Sequence, residues 1–277
     1  MLANVSGSRK RDATVIGFTA EWLSLREPAD TAARDVTLAA RLAEKTREHA
    51  PARFIDLGCG TGANLRYLAP RLGGLQEWLL VDSDIRLLQQ VRGTAHCQLE
   101  TRCVDLATGL DALELAAETV VTASALLDLV SDRWLMKLTE RCLASRATAL
   151  FALSYDGRMT LAPADVDDEW IRWLVNRHQL GDKGFGPALG PGAATRACEL
   201  FADVGHEVQS ASSDWILEPG DRLLQQRLIE GWAQAAAEVV PNEATRCRKW
   251  LERRLVHLAA GTSRTTVGHQ DILAGPR

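Results

Sequence analysis

Four aspartates and a run of glycines are the residues best placed to do chemistry. The first stretch reads Phe54-Ile55-Asp56-Leu57-Gly58-Cys59-Gly60-Thr61-Gly62-Ala63-Asn64. Phe54 to Leu57 is a short apolar run, expected as a buried strand with Asp56 near its end. Leu65, Tyr67, Leu68 and Leu72 follow at helical spacing. Strand, glycine loop and helix in that order form a site for an adenosine-containing cofactor. Glycine permits positive φ and lets a ligand approach the backbone closely. The loop leads into a helix N-terminus, whose free N–H groups hold a carboxylate or phosphate. Gly58, Gly60 and Ala63 also satisfy the looser dinucleotide fingerprint, so NAD is a competing ligand. Asp56 argues against it, since an acid there repels a pyrophosphate and attracts an ammonium.

The sequence from Asp56 to Gly62, D-L-G-C-G-T-G, resembles the first motif of class I S-adenosylmethionine (SAM) methyltransferases. The resemblance implies that Asp56 holds the cofactor's amino group, with Gly58, Cys59, Gly60 and Asn64 around it. A second strand, Glu77 to Val81, ends at Asp82, 24 positions after Gly58. An acid at that place binds ribose hydroxyls, and Ser83 lies beside it. Asp105 and Leu106 close a third strand, about Gln98 to Val104. The resemblance assigns that acid to the adenine amino group. Ser124 follows a fourth strand, Thr119 to Ala123. Ligands sit at the carboxyl ends of parallel strands, so Ser124 to Asp128 are expected to line the methyl-transfer site. The resemblance is carried by about residues 53–155.

Methyl transfer from a sulfonium is a direct displacement. The protein aligns the nucleophile and excludes water, and a base helps when the nucleophile carries a proton. Asp128 and His178 are the expected catalytic residues. Trp22, Arg26, Tyr155 and Lys183 are the expected acceptor-binding residues, with Arg26 able to hold a carboxylate. The D/N-P-P-Y/F motif of amino-methylating nucleic-acid enzymes is absent at Ser124 to Leu127. No Pro-Cys follows the fourth strand, and neither Tyr67 nor Tyr155 starts a Tyr-x-x-x-Lys. The reading that follows is a SAM-dependent methyltransferase acting on a small molecule. A SAM-binding regulatory or scaffold protein and an NAD-dependent oxidoreductase are the alternatives. The acceptor atom (O, N, C or S) and the oligomeric state are left open.

These residues require a frame to hold them. With 46% hydrophobic and 25% charged residues in 277, the chain has a globular balance and length for one large domain. A net charge of −4 disfavours a general nucleic-acid binder. No apolar run is long enough to span a membrane. Met1 to Thr14 is a polar, basic arm without a signal-peptide core, so a cytoplasmic location is expected. Six cysteines show no C-x-x-C pair or metal spacing and read as free thiols; no metal is expected.

Alternation of strands and helices implies an α/β fold, with a parallel sheet and crossover helices. The resemblance makes this a seven-stranded Rossmann-like sheet with helices on both faces. Residues 1–50 read as an N-terminal arm and helical cap, and 51–277 as the SAM-binding domain. In the cap, a helix from Phe18 to Leu25 is expected to break at Arg26–Asp30. A second helix, capped by Asp30, is expected from Thr31 to His49. The helix after the second strand is expected from Ile85 to about Arg92. The fifth strand is expected from Ala147 to Tyr155. Insertions are expected at about 156–191, ending in a Gly/Pro-rich loop, and at 219–261, which reads as helical. A sixth strand, His206 to Leu217, and a last one, Ser263 to Leu273, flank the second insertion.

Overall fold

The computed structural model describes residues 18–47 and 52–276; the arm at 1–14 and His49 lie outside them. Eight strands form one mixed sheet: β1 Ala52–Leu57, β2 Gln76–Asp82, β3 Cys97–Cys103, β4 Val120–Ser124, β5 Thr148–Ala162, β6 Glu207–Ser212, β7 Trp215–Leu217 and β8 Arg264–Gly275. Their order is β3-β2-β1-β4-β5-β8-β6, with β7 also on β8. The first five are parallel, and β8 runs antiparallel to β5, β6 and β7. The seven-stranded pattern is thus present, with β7 as an extra short strand.

Side chains alternate across the sheet, as the period of two requires. Ile55, Leu57, Phe151 and Ile272 face one core, covered by α6 Asp132–Ser145 and α8 Ala193–Asp203. Phe54, Trp78, Leu150 and Leu273 face the other, covered by α2 Val36–Thr46 and α3 Ala63–Leu72. Asp56 shares parity with Phe54, so its carboxylate is buried on the α2–α3 side.

Several boundaries depart from the sequence reading. The first helix, α1 Ala20–Ala33, runs through Pro28 and breaks instead at Arg34–Asp35. Proline removes one helical hydrogen bond. Arg26 spans the gap by pairing with Asp30 one turn later, at 2.9 and 3.1 Å. Asp30 is therefore not a cap; Asp35 caps α2 by accepting from the Leu38 N–H. The helix after β2, α4, is a single turn, Ile85–Leu88, and another single turn, α5 Leu106–Gly109, follows β3.

β5 continues past Asp156 to Ala162, because Met159 and Leu161 alternate inward and pair with β8. The first insertion therefore begins after β5 and centres on α7 Asp168–Gln179. The sixth strand breaks at Ser213-Asp214 into β6 and β7. The second insertion is two helices, α9 Arg222–Val239 and α10 Ala244–Ala259, divided at Pro241. Met159, Ile171, Leu174, Ile229 and Trp250 give α7, α9, α10 and the β5 extension a core of their own.

The Gly/Pro loop is pinned in place. Asp182 Oδ1 accepts from the N–H groups of Gly184 and Gly186, the Leu189 N–H donates to the Val130 carbonyl, and Phe185 packs edge-on against Trp134.

Candidate cofactor and acceptor site

The loop after β1 is shaped by three glycines in the left-handed region, Gly58, Gly60 and Gly62. At Gly60 the requirement is double. Its φ is +54°, and a Cβ would stand 2.8 Å from Leu23 Cδ1 of α1. The first helix thus lies on the loop. Asp82, at the end of β2, ties that loop to the next strand. Its Oδ2 accepts from the Gly60 N–H at 2.8 Å, and its Oδ1 from the Asp84 N–H at 2.9 Å.

Asp56 is fully buried. Its Oδ1 accepts from Asn64 Nδ2 at 2.7 Å, while Oδ2 has no hydrogen-bond partner among the described residues. Burial lifts its pKa to about 7, opposed by the Asn64 hydrogen bond and the Arg34 charge and reinforced by Asp82. The same Asn64 nitrogen reaches Thr122 Oγ1 at 2.9 Å. Asn64 Oδ1 accepts from Arg34 Nη1 at 2.7 Å. Arg34 is itself buried, beside Asp271 and over the Tyr67 ring. A cavity of ≈ 10 Å³ lies here, lined by Glu27, Arg34, Asn64, Tyr67 and Ser124 among others. That is about the room of one water.

Sequence reasoning missed Arg34 and Asp271. Asp271 accepts from the N–H groups of Leu153 and Asp35, at 2.8 and 3.0 Å. It thereby fixes a bulge of β5 to the α1–α2 junction. A carboxylate directly before the apolar run Ile272-Leu273-Ala274 was the available signal. Leu153 and Ala125 both hold positive φ without being glycine. Such strain collects at functional sites; Ala125 directly follows β4, and Leu153 sits at the bulge within β5.

The other expected cofactor residues lie along the same sheet edge. Cys59 is buried, and burial pushes its thiol pKa upward. Ser83 and Asp105 are exposed, Asp105 accepting from the Ala107 N–H, and Leu106 is buried. Ser124 is half-buried.

On the acceptor side, Asp128 is buried in the turn after β4, and its Oδ1 has no partner among the described residues. Burial raises its pKa to about 6, countered by its own backbone, Arg26, the backbone of Tyr155 and Lys183. Tyr155 donates to Asn176 Oδ1 at 2.7 Å. Trp22 packs at the edge of the cluster that holds Tyr155 and Trp215. Arg26 is bound to Asp30 and stacks over Trp215. His178 is engaged on both ring nitrogens: its Nε2 is 2.9 Å from Glu238, and Lys183 Nζ is 3.4 Å from its Nδ1. His178 and Lys183 thus join α7 and its loop to α9. His269 and Trp215 were also missed. They lie on strands whose alternation reads only as core.

No family model matches the chain, and no curated protein sequence matches it. Solved structures do. A cyclopropane-fatty-acyl-phospholipid synthase-like protein from Lactobacillus casei is 13% identical, covering 93% of this chain and 94% of that one, with a TM-score of 0.51. A SAM-dependent methyltransferase from Thiobacillus denitrificans, solved with S-adenosylhomocysteine, is 14% identical, covering 94% and 100%, with a TM-score of 0.46. A cyclopropane synthase from Mycobacterium tuberculosis is 12% identical, covering 84% of each chain, with a TM-score of 0.42. The strand order and the first of these likenesses fix the architecture: the chain has the Rossmann-like fold of the class I SAM-dependent methyltransferases.

Proposed function

We propose that the chain is a SAM-dependent methyltransferase acting on a small-molecule acceptor. The observation that carries this reading is the unpartnered Oδ2 of buried Asp56 beside the glycine loop. A buried carboxylate oxygen without a donor is costly, and an ammonium is the partner its charge suits. The glycine loop admits a ligand against its backbone, and Asp82 stands at the strand end where ribose hydroxyls bind in such folds. These features fit SAM.

In this reading Asp56 holds the amino group and Asn64 orients it. Gly58, Cys59 and Gly60 form the backbone cradle, and Asp82 with Ser83 takes the ribose. Asp105 and Leu106 flank the adenine, and Ser124 lies towards the reacting end. The cofactor supplies an electrophilic methyl group. Asp128 is the proposed base, taking the acceptor's proton at Oδ1, and is better placed than His178, which is engaged by Glu238. Trp22, Arg26, Tyr155 and Lys183 surround the acceptor.

Residues 1–50 act as the cap and 51–277 as the cofactor-binding domain.

Incubation with methyl-labelled SAM across a panel of small metabolites tests the reading. Label transfer to one of them is expected. Tight SAM binding without transfer to any small molecule would favour a regulatory or scaffold role.

A further inference from the structure

A buried guanidinium stands beside the helix that follows the glycine loop, with donors unused. Arg34 closes α1 and is 6% exposed. Its side chain makes one hydrogen bond among the described residues, from Nη1 to Asn64 Oδ1 at 2.7 Å. Its Nε is buried without a hydrogen-bond partner, 3.9 Å from Asp271 Oδ2. Both oxygens of Asp271 are taken by the N–H groups of Leu153 and Asp35. The α3 helix begins at the same place. Its N-cap is Gly62, which has no side chain to satisfy the first turn. Arg34, Ala63 and Asn64 line one cavity, so the guanidinium and the positive end of α3 adjoin the same space.

The acids that line this cavity are already committed. Glu27 accepts two hydrogen bonds from Arg66, both 2.7 Å. Asp30 accepts from Arg26 and from the Trp215 indole. Asp56 lies one amide behind Arg34: Asn64 Nδ2 donates to its Oδ1 at 2.7 Å, and its Oδ2 has no partner. A guanidinium fork and a bare carboxylate oxygen, linked through one side-chain amide, complement the two charges of an amino acid.

We propose that Arg34 and the first N–H groups of α3 hold the carboxylate of the cofactor's amino-acid end while Asp56 holds its ammonium. The proposal rests on the methyltransferase reading and extends it to the second charge of that end group. Guanidinium forks and helix N-termini both suit a carboxylate. A simple anion would leave Asp56 bare and a simple cation would leave the Arg34 donors bare; a zwitterion answers both. The cavity has room for about one water, and exposed Thr31, on its α1 wall, turns aside to admit the end group.

Titration calorimetry tests it with S-adenosylhomocysteine, its decarboxylated analogue and its deaminated analogue as probes. Each analogue should bind roughly tenfold or more weaker than S-adenosylhomocysteine, since each loses a charge-assisted bond. Arg34→Lys keeps the charge and loses the fork. It should weaken S-adenosylhomocysteine by roughly tenfold and leave the affinity for the decarboxylated analogue unchanged. An arginine that only braced the cap would weaken both probes alike. The decarboxylated analogue binding as tightly as S-adenosylhomocysteine overturns the Arg34 assignment, as does an Arg34→Lys variant that weakens both probes equally or neither. The deaminated analogue binding as tightly overturns the zwitterion. The wild-type comparison needs no variant to fold. Failure of S-adenosylhomocysteine itself to bind overturns the methyltransferase reading, and the proposal with it.

Discussion

Arg34 Nη1 donates to Asn64 Oδ1 at 2.7 Å, and so joins the end of the first helix to the helix that follows the glycine loop. Asn64 passes that link to Asp56 through its other end. The cap and the carboxylate proposed to hold the cofactor are thus one hydrogen-bonded unit.

Removing Arg34 should be felt throughout that unit. Arg34→Met leaves Asn64 Oδ1 without its donor and takes a positive charge away from Asp56 and Asp271. Breaking such a buried charged group costs about 3–5 kcal/mol. Urea denaturation should show a loss on that scale; a change under about 0.5 kcal/mol, the range of ordinary surface substitutions, would contradict the linkage.

The contact between Leu23 and Gly60 can be measured by a double-mutant cycle. Gly60→Ala meets Leu23 Cδ1 and also forces a Cβ onto positive φ. The backbone share is about 1–2 kcal/mol and persists in any background. The steric share should vanish when Leu23→Ala is present, so the cost of Gly60→Ala should fall in that background. An identical cost in both backgrounds would show that α1 does not rest on the loop.

The sheet and the glycine loop were legible because their signals are local. Asp56 to Gly62 is a continuous motif, Asp82 ends an apolar run, and Asp105 follows a strand in which Leu99 and Cys103 alternate with Glu100 and Arg102. What escaped depends on tertiary contacts. The continuation of α1 through Pro28 needs the Arg26–Asp30 pair and the Trp215 indole, which donates to Asp30 at 3.1 Å from 185 residues away. The continuation of β5 needs β8, whose pairing with Met159 to Ala162 no local pattern announces. Arg34 reads as one more charge within the expected second helix until Asn64 and Asp271 are seen on either side of it.

Stability should carry a signature of Asp128. Its pKa rises from 3.8 to about 6 through burial, so the folded carboxyl keeps a proton that the unfolded chain has released. Between those values the native state binds more protons, and stability falls as pH rises. This contribution is fully present below about pH 4 and is lost above about pH 6, a span worth roughly 3 kcal/mol. Asp56 acts in the same direction and His269 in the opposite one, but both are common to the wild type and an Asp128→Asn variant. The stability of the variant relative to wild type should therefore climb across this window and level off near neutrality. Urea titrations at several pH values measure it; a flat difference would mean that Asp128 is not buried as a carboxyl.

Asp56 and Asp82 are proposed to flank a SAM site, and titration calorimetry of the purified protein decides whether they do. S-adenosylhomocysteine should bind, with Asp82→Ala weakening it by roughly tenfold or more, since a charge-assisted hydrogen bond contributes about 1.5–3 kcal/mol. Asp56→Asn should also weaken it, and NAD should give no comparable heat. Binding of NAD without binding of S-adenosylhomocysteine, or an Asp82→Ala variant with undiminished affinity, would contradict the account.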